Sequence, residues 1–296
     1  MYVFEFGFNV WQKLQEKDTN LDVKKGEILL KEFPDGELYA RVVDDVKNED
    51  CVVVNSVYNN NELVRTILIL DAIKRGKPKS ITLITPYLTY MRQDEIFLTG
   101  EALSAEVVLT NLKNYADKIF LINSHNQQFR KKEKSEHRGI EIYNIDVFSE
   151  IAKYFKNLKN PKVIAPDEGA SDTAKECAKI LKCESNYIVK KRDRVTGKII
   201  TKDKNLGVEG KDVLIADDVI SNGETMIEAL KIIRKQNPTS INLACVHGVF
   251  CNAENLLMLK ILADELVATN SIPNKVGNID LSELIAKELI KNLINK

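Results

Sequence analysis

The 296-residue chain predicts an α/β fold in two similar halves, each a mainly parallel sheet flanked by helices. Three observations predict it. Short β-rich runs alternate with helical patterns almost throughout, which is the signature of strand–helix–strand units. Several of the β-rich runs are continuously apolar, as strands buried on both faces require. The alternation also restarts after a polar, charged stretch at 127–139, so that two series of about equal size follow one another.

The elements can be justified in order. Met1–Phe8 is apolar but short, acidic at Glu5 and without a basic flank, so it reads as a first strand and not as a signal peptide. Strand candidates follow at Cys51–Val57, Ser80–Ile84, Lys118–Ile122, Lys162–Ala165, Asp212–Ala216 and Ile241–Val246. Between them, Asn61–Arg75 places Leu63, Ile67, Leu70 and Ile73 at helical spacing. Further helices are expected at Leu103–Leu112, Asp172–Leu181 and Glu224–Arg234. Gln127–Gly139 reads as a loop, and a new helix at Val147–Leu158 opens the second series. The boundary is therefore placed near Asp146, with domains at 1–145 and 146–296. The last helix, Leu281–Ile294, is a candidate to pack back on the first domain.

Charge and composition exclude several functions. The 43 basic and 43 acidic side chains cancel, which argues against a general nucleic-acid or membrane role, since those show a basic excess. Arg130-Lys131-Lys132 reads as a solvated charged loop. No run approaches the roughly 18 apolar residues that span a bilayer. The five cysteines contain no Cys-x-x-Cys pair and only three histidines accompany them, which leaves little material for a zinc site. Reduced thiols in a cytoplasm fit best.

The segment that carries most chemistry is Val213-Leu214-Ile215-Ala216-Asp217-Asp218-Val219-Ile220-Ser221-Asn222-Gly223-Glu224-Thr225. An apolar strand ends in two carboxylates, and a short loop then opens a helix. Ligands of open α/β sheets bind at the carboxyl ends of strands. Backbone N–H groups of such a loop form an anion nest at the helix N-terminus, suited to phosphate. Asp217 and Asp218 cannot hold a phosphate, because like charges repel; they suit neutral sugar hydroxyls or a metal. Phosphate on one side and a diol on the other describes a ribose phosphate. There is no Gly-x-x-x-x-Gly-Lys-[Ser/Thr] loop and no Gly-x-Gly-x-x-Gly fingerprint.

This segment closely resembles the phosphoribosyl diphosphate (PRPP) binding motif of the type I phosphoribosyltransferases. Phe33-Pro34-Asp35-Gly36-Glu37 resembles the segment by which ribose-phosphate diphosphokinases grip the adenine of ATP. Pro86-Tyr87-Leu88-Thr89-Tyr90-Met91-Arg92-Gln93-Asp94, followed by Gly100-Glu101-Ala102-Leu103-Ser104-Ala105, resembles a second ATP-contacting segment of that family. Ala165-Pro166-Asp167-Glu168-Gly169-Ala170 resembles its strand-end aspartate that supports magnesium and the sugar phosphate. Cys245–Phe250 and Ala268–Pro273 match two late segments. The motifs run in matching order from about residue 30 to 273, and together they are specific.

The resemblance implies two type I phosphoribosyltransferase-like domains, with ATP-side segments in the first and the ribose 5-phosphate site in the second. It implies transfer of a diphosphoryl group from Mg-ATP to the anomeric hydroxyl of ribose 5-phosphate, giving PRPP and AMP for nucleotide biosynthesis. Its ATP-binding residues are Phe33, Asp35, Gly36, Glu37, Arg92, Gln93 and Asp94. Its ribose 5-phosphate residues are Arg192, Asp217, Asp218, Ser221, Asn222, Gly223, Glu224 and Thr225. His125 and Asp167 match positions near Mg²⁺, although Asn123 stands where the family carries an aspartate. Lys190 and Arg192 match a Lys-x-Arg that closes over the phosphates, with Lys191 and Arg194 as substitutes if the register is off by one. Glu224 stands where the family commonly has a glycine. A homo-oligomer, at least a dimer, is implied as well, because the family's ATP site is commonly completed across a subunit interface.

Two other readings compete. A salvage phosphoribosyltransferase would explain 213–225 but leave 33–37 and 86–105 unused. A non-catalytic regulatory homologue should show damage at Lys190, Arg192, His125, Asp167, Asp217 or Asp218, and all six are present.

Overall fold

The computed structural model describes residues 1–17, 22–130, 132–192, 199–201 and 205–294. By its internal contacts the chain divides into two compact units, one of Met1–Ile145 with Leu281–Lys296 and one of Asp146–Asp280.

In the first unit the elements are β1 (Tyr2–Glu5), α1 (Val10–Gln15), β2 (Lys24–Lys25), β3 (Ile28–Glu32), β4 (Leu38–Val42), β5 (Asp50–Val54), α2 (Asn60–Arg75), β6 (Ser80–Thr85), α3 (Ser104–Lys113), β7 (Lys118–Ile122), α4 (Gln127–Arg130), β8 (Lys134–His137) and β9 (Ile140–Ile145). Seven strands form one sheet in the order β2-β1-β5-β6-β7-β9-β8, parallel except for β8. The interior strands are apolar on both faces because both are covered: Val52, Val53 and Val54 of β5 are all buried, and so are Leu83 and Ile84 of β6. Helix α2 starts where Asn59 leaves the extended region and accepts the Glu62 N–H at 2.9 Å, satisfying one of the orphan donors of the first turn. Its Ile69, Leu70 and Ile73 then enter the core with Leu83, Leu109 and Leu112. Outside the sheet, β3 and β4 form an antiparallel hairpin whose tip is residues 33–37.

The second unit contains α5 (Phe148–Tyr154), β10 (Pro161–Ala165), α6 (Ser171–Leu181), β11 (Glu184–Tyr187), β12 (Lys190–Arg192), β13 (Ile199–Thr201), β14 (Asp212–Ile220), α7 (Glu224–Arg234), β15 (Ser240–Gly248), α8 (Ala253–Leu262), β16 (Glu265–Thr269) and β17 (Gly277–Ile279). Its six-stranded sheet, β11-β10-β14-β15-β16-β17, is wholly parallel. Ile227, Leu230 and Ile233 of α7 pack on Val213, Ile215, Leu243 and Cys245 of the two central strands. β12 and β13 pair antiparallel as a separate ribbon. The final helix, α9 (Ser282–Leu289), is grouped with the first unit and packs on α1: Ser282 Oγ accepts the Asn9 N–H at 3.0 Å and Lys17 pairs with Glu283 at 2.7 Å. It finishes in a π-helical turn, Ile290–Ile294.

Several expectations need correction. The stretch 127–139, read as a loop for its polarity, contains α4 and the edge strand β8, because β8 needs only one buried face and borrows its pairing from β9. Strand 212–216 does not stop before the carboxylates but continues to Ile220, held by pairing of Val219 with His247 and Ile220 with Gly248. The helix expected at 147–158 ends at Tyr154.

Candidate active site

The central feature of the second unit is the end of β14. Asp217 and Asp218 occupy consecutive positions near the end of β14. Asp218 is 6% exposed, and Asp217 retains some surface although its carboxyl is deeply set. Burial, then the neighbouring Asp218 and, more weakly, Asp167 beyond β10 push the Asp217 carboxyl well above the ordinary carboxylate range. Asp167 itself turns its Oδ1 to the Ala170 N–H at 3.2 Å, just before α6. Three carboxylates thus stand within electrostatic reach of one another, and a cation or a set of hydroxyl donors would relieve them.

Beyond Ile220 the chain turns through Ser221, Asn222 and Gly223 into α7. Gly223 takes φ +86°, the left-handed region, and a Cβ there would also stand 3.1 Å from Leu259 Cδ1. Both facts favour glycine. Asn222 folds its Oδ1 back to the Glu224 N–H at 3.2 Å. Glu224 and Thr225 form the exposed start of α7, so their backbone sits at the positive end of an 11-residue helix. The structure therefore brings Asp217, Asp218, Ser221, Asn222, Gly223, Glu224 and Thr225 together on one strand–loop–helix junction, with Asp167 beside them.

The other predicted positions are distributed. Lys190 and Arg192 lie on β12, opposite Thr201 and Ile199, and Lys191 lies between them; Arg194 falls outside the described residues. In the first unit, the tip of the β3–β4 hairpin is a tight turn in which Gly36 (φ +88°) donates to the Phe33 carbonyl at 2.9 Å and Glu37 to Asp35 Oδ1 at 3.2 Å. Phe33 is 47% exposed and meets Tyr39 edge to face. Arg92, Gln93 and Asp94 lie on the loop before α3, where Gln93 accepts from the Ser104 hydroxyl and the Ala105 N–H. His125 is exposed at the end of β7, two residues after the buried Asn123 (φ +40°).

Mg²⁺ favours oxygen ligands, keeps several waters and completes its shell with substrate phosphates. Among the described residues no three of the His, Cys, Asp and Glu side chains form a ready cage. Asp167, just past the end of β10, offers one hard oxygen donor of the kind such an ion takes, with waters and substrate phosphates to complete the shell.

Residues 6–115 match the profile of the N-terminal domain of ribose phosphate pyrophosphokinase, and 134–282 match the phosphoribosyl transferase domain. A ribose-phosphate pyrophosphokinase of Sulfurisphaera tokodaii is 37% identical over 267 residues, covering 88% of this chain and 90% of its own. One from Pyrococcus furiosus is 36% identical, covering 89% and 90%. The chain belongs to the ribose-phosphate pyrophosphokinase family. The crystal structure of phosphoribosylpyrophosphate synthetase from Mycobacterium smegmatis superposes with a TM-score of 0.80, covering 97% of both chains at 24% identity, which shows the same fold.

Within this pyrophosphokinase fold the sequence reading overlooked the supports of the loop. Asn255, on α8, donates its side-chain amide to the Asn222 carbonyl at 2.8 Å, and Cys251 Sγ lies 3.8 Å from Ser221 Oγ. Neither belongs to a local motif, so only the pairing of β14 with β15 reveals them. Ser124, next to His125, was overlooked too; its hydroxyl is buried without a hydrogen-bond partner.

Proposed function

We propose that this protein transfers the diphosphoryl group of ATP to the anomeric hydroxyl of ribose 5-phosphate, giving PRPP and AMP. The observation that carries the reading is the junction at the end of β14. A loop that opens a helix lies beside two adjacent carboxylates, in a chain whose other half matches the N-terminal domain of the pyrophosphokinases. The loop Ser221–Thr225 holds the 5-phosphate, with the backbone N–H groups of Ser221, Asn222 and Gly223 as donors. Asp217 and Asp218 accept hydrogen bonds from ribose hydroxyls, which compensates charges that are expensive when left bare.

On the nucleotide side, Phe33 offers an exposed ring to the adenine, and Asp35, Gly36 and Glu37 hold the turn that presents it. Arg92, Gln93 and Asp94 contact the rest of the nucleotide. A bound Mg²⁺ would neutralise phosphate charge; Asp167 in the second unit is an oxygen donor suited to such an ion, and His125 in the first unit is the candidate near the metal–ATP complex. Lys190 and Arg192 meet the charge that shifts between phosphate oxygens during transfer, where fixed cations act most strongly. The enzyme works in the cytoplasm as a homo-oligomer of at least two copies. Among the described residues, no helix is long and apolar enough to cross a membrane.

The test is direct. Purified protein with ATP, Mg²⁺ and ribose 5-phosphate should release AMP and form PRPP in equal amounts. Release of ADP would mean simple phosphoryl transfer, and consumption of added PRPP with a free base would mean a salvage transferase.

A further inference from the structure

The loop after β14 is held by the segment that leads into α8. The Ile220 carbonyl accepts the N–H groups of Val249 and Phe250 at 3.0 and 3.2 Å, and the Ser221 carbonyl accepts that of Cys251 at 3.1 Å. The Asn222 carbonyl accepts the Asn255 side-chain amide at 2.8 Å. Three successive carbonyls are therefore drawn toward the segment that enters α8. In a planar trans peptide the N–H of the next residue points opposite to the carbonyl. The N–H groups of Ser221, Asn222 and Gly223 consequently all face away from that segment, on the side where an anion can meet them together. Converging backbone N–H groups of this kind are what makes a turn an anion nest.

The first two anchors are backbone to backbone and survive any side-chain replacement. The third depends on one side chain. Only a donor can satisfy a carbonyl, so the Asn255 amide nitrogen must face Asn222. Asn255 itself is fixed, because its own N–H is capped by Asn252 Oδ1 at 2.9 Å at the start of α8. The peptide it holds is also the one that can turn most easily, since its second residue is Gly223 at φ +86°. Without the tether, rotation of this peptide would present a carbonyl oxygen, instead of the Gly223 N–H, to the phosphate.

We propose that Asn255 is a positioning residue of the sugar-phosphate site, which locks the Asn222–Gly223 peptide in its anion-binding orientation from outside the pocket. The proposal rests on the reading of Ser221–Thr225 as the 5-phosphate loop. It does not require Asn255 to touch the substrate. The side chain is partly exposed and its loss leaves the core of the unit intact.

The experiment compares wild type with Asn255→Ala and with Asn255→Ser, whose hydroxyl is too short to reach the carbonyl. Initial rates of AMP release give KM for ribose 5-phosphate and for ATP, and thermal unfolding reports on the fold. Both variants should raise KM for ribose 5-phosphate by about tenfold, or 1.4 kcal/mol, with KM for ATP within twofold and an unchanged unfolding midpoint. An unchanged KM for ribose 5-phosphate in folded variants overturns the proposal. So does a parallel rise of both KM values with a lowered midpoint, which would make Asn255 an ordinary structural contact. Failure of the underlying reading looks different, because wild type itself would then show no AMP release dependent on ribose 5-phosphate.

Discussion

Cys245 of β15 is the register partner of Asp217 on β14, and the two side chains share one face of the sheet. The thiol is fully buried, and burial first, then the charge of Asp217, raises its pKa far above the ordinary thiol range. The next cysteine along, Cys251, is exposed at the edge of the loop and touches Ser221. Two thiols six positions apart thus have opposite accessibility around one site.

Alkylation should distinguish them. Iodoacetamide should label Cys251 in the native protein and leave Cys245, Cys51 and Cys177 unlabelled, since burial lifts all three thiols, the latter two to about 12. Ribose 5-phosphate at ten times its Kd should slow labelling of Cys251 about tenfold by mass action. Peptide mapping by mass spectrometry measures both; a labelling rate indifferent to ribose 5-phosphate would place the sugar phosphate elsewhere.

Asp217 should show the opposition between stability and function. Its folded pKa is raised, so the folded protein binds a proton more tightly than the unfolded chain. The linked stability is present below the unfolded value, near pH 4, and is lost as pH climbs through the folded value. Asp217→Asn should therefore raise the unfolding midpoint at pH 7 by about 2–4 °C, equivalent to roughly 1 kcal/mol for a chain of this size. The gain should vanish below about pH 4. AMP release should fall at least roughly 10²-fold, the size of comparable polar contacts to a transition state. Calorimetric scans at the two pH values decide it, and a lower midpoint at pH 7 would contradict the assigned repulsion.

The ribbon residues are expected to act on rate. Lys190→Ala or Arg192→Ala should lower turnover by roughly 10²-fold or more while ATP binding changes much less, because their charge counts most where phosphate charge shifts. Steady-state rates with parallel ATP titrations check this. Near-normal turnover in both variants would shift the role to Lys191 and Arg194.

Glu224 stands exposed at the first position of α7. A carboxylate aimed inward, about 6 Å from the phosphate, would repel each unit charge by roughly 3 kcal/mol at an effective dielectric near 20. With the side chain outward, Glu224→Gly should alter affinity for ribose 5-phosphate by less than about tenfold. A gain near 100-fold by titration calorimetry would show that the carboxylate reaches the pocket, and would favour a regulatory homologue.

How much of this was legible depends on how local each cause is. Strand Lys118–Ile122 and helix Glu224–Arg234 were readable to the residue, because double-sided burial and helical periodicity are written into consecutive side chains. The continuation of β14 past Asp217 was not, since adjacent carboxylates look like a strand end until pairing with β15 is known. The β3–β4 hairpin and β8 are likewise products of cross-strand partners, not of their own composition. In the site, residues 217–225 were legible as a contiguous motif. Asn255 was not, because it reaches back 33 positions to Asn222 and its meaning exists only once two strands lie side by side.

The grouping of α9 with β1 through β9 makes the first unit discontinuous in sequence, whereas the second is a single stretch, Asp146–Asp280. On the ribosome the two are therefore completed out of order. Val10 and Leu14 of α1, both fully buried in the finished protein, belong to the first element pair to emerge and yet wait for a helix made almost last. At 5–20 residues per second that wait is on the order of ten seconds or more. The inner unit is synthesised within the same interval and is itself complete only at Asp280, one residue before Leu281. Nascent-chain proteolysis should accordingly find residues 1–145 incompletely protected until synthesis passes Leu281.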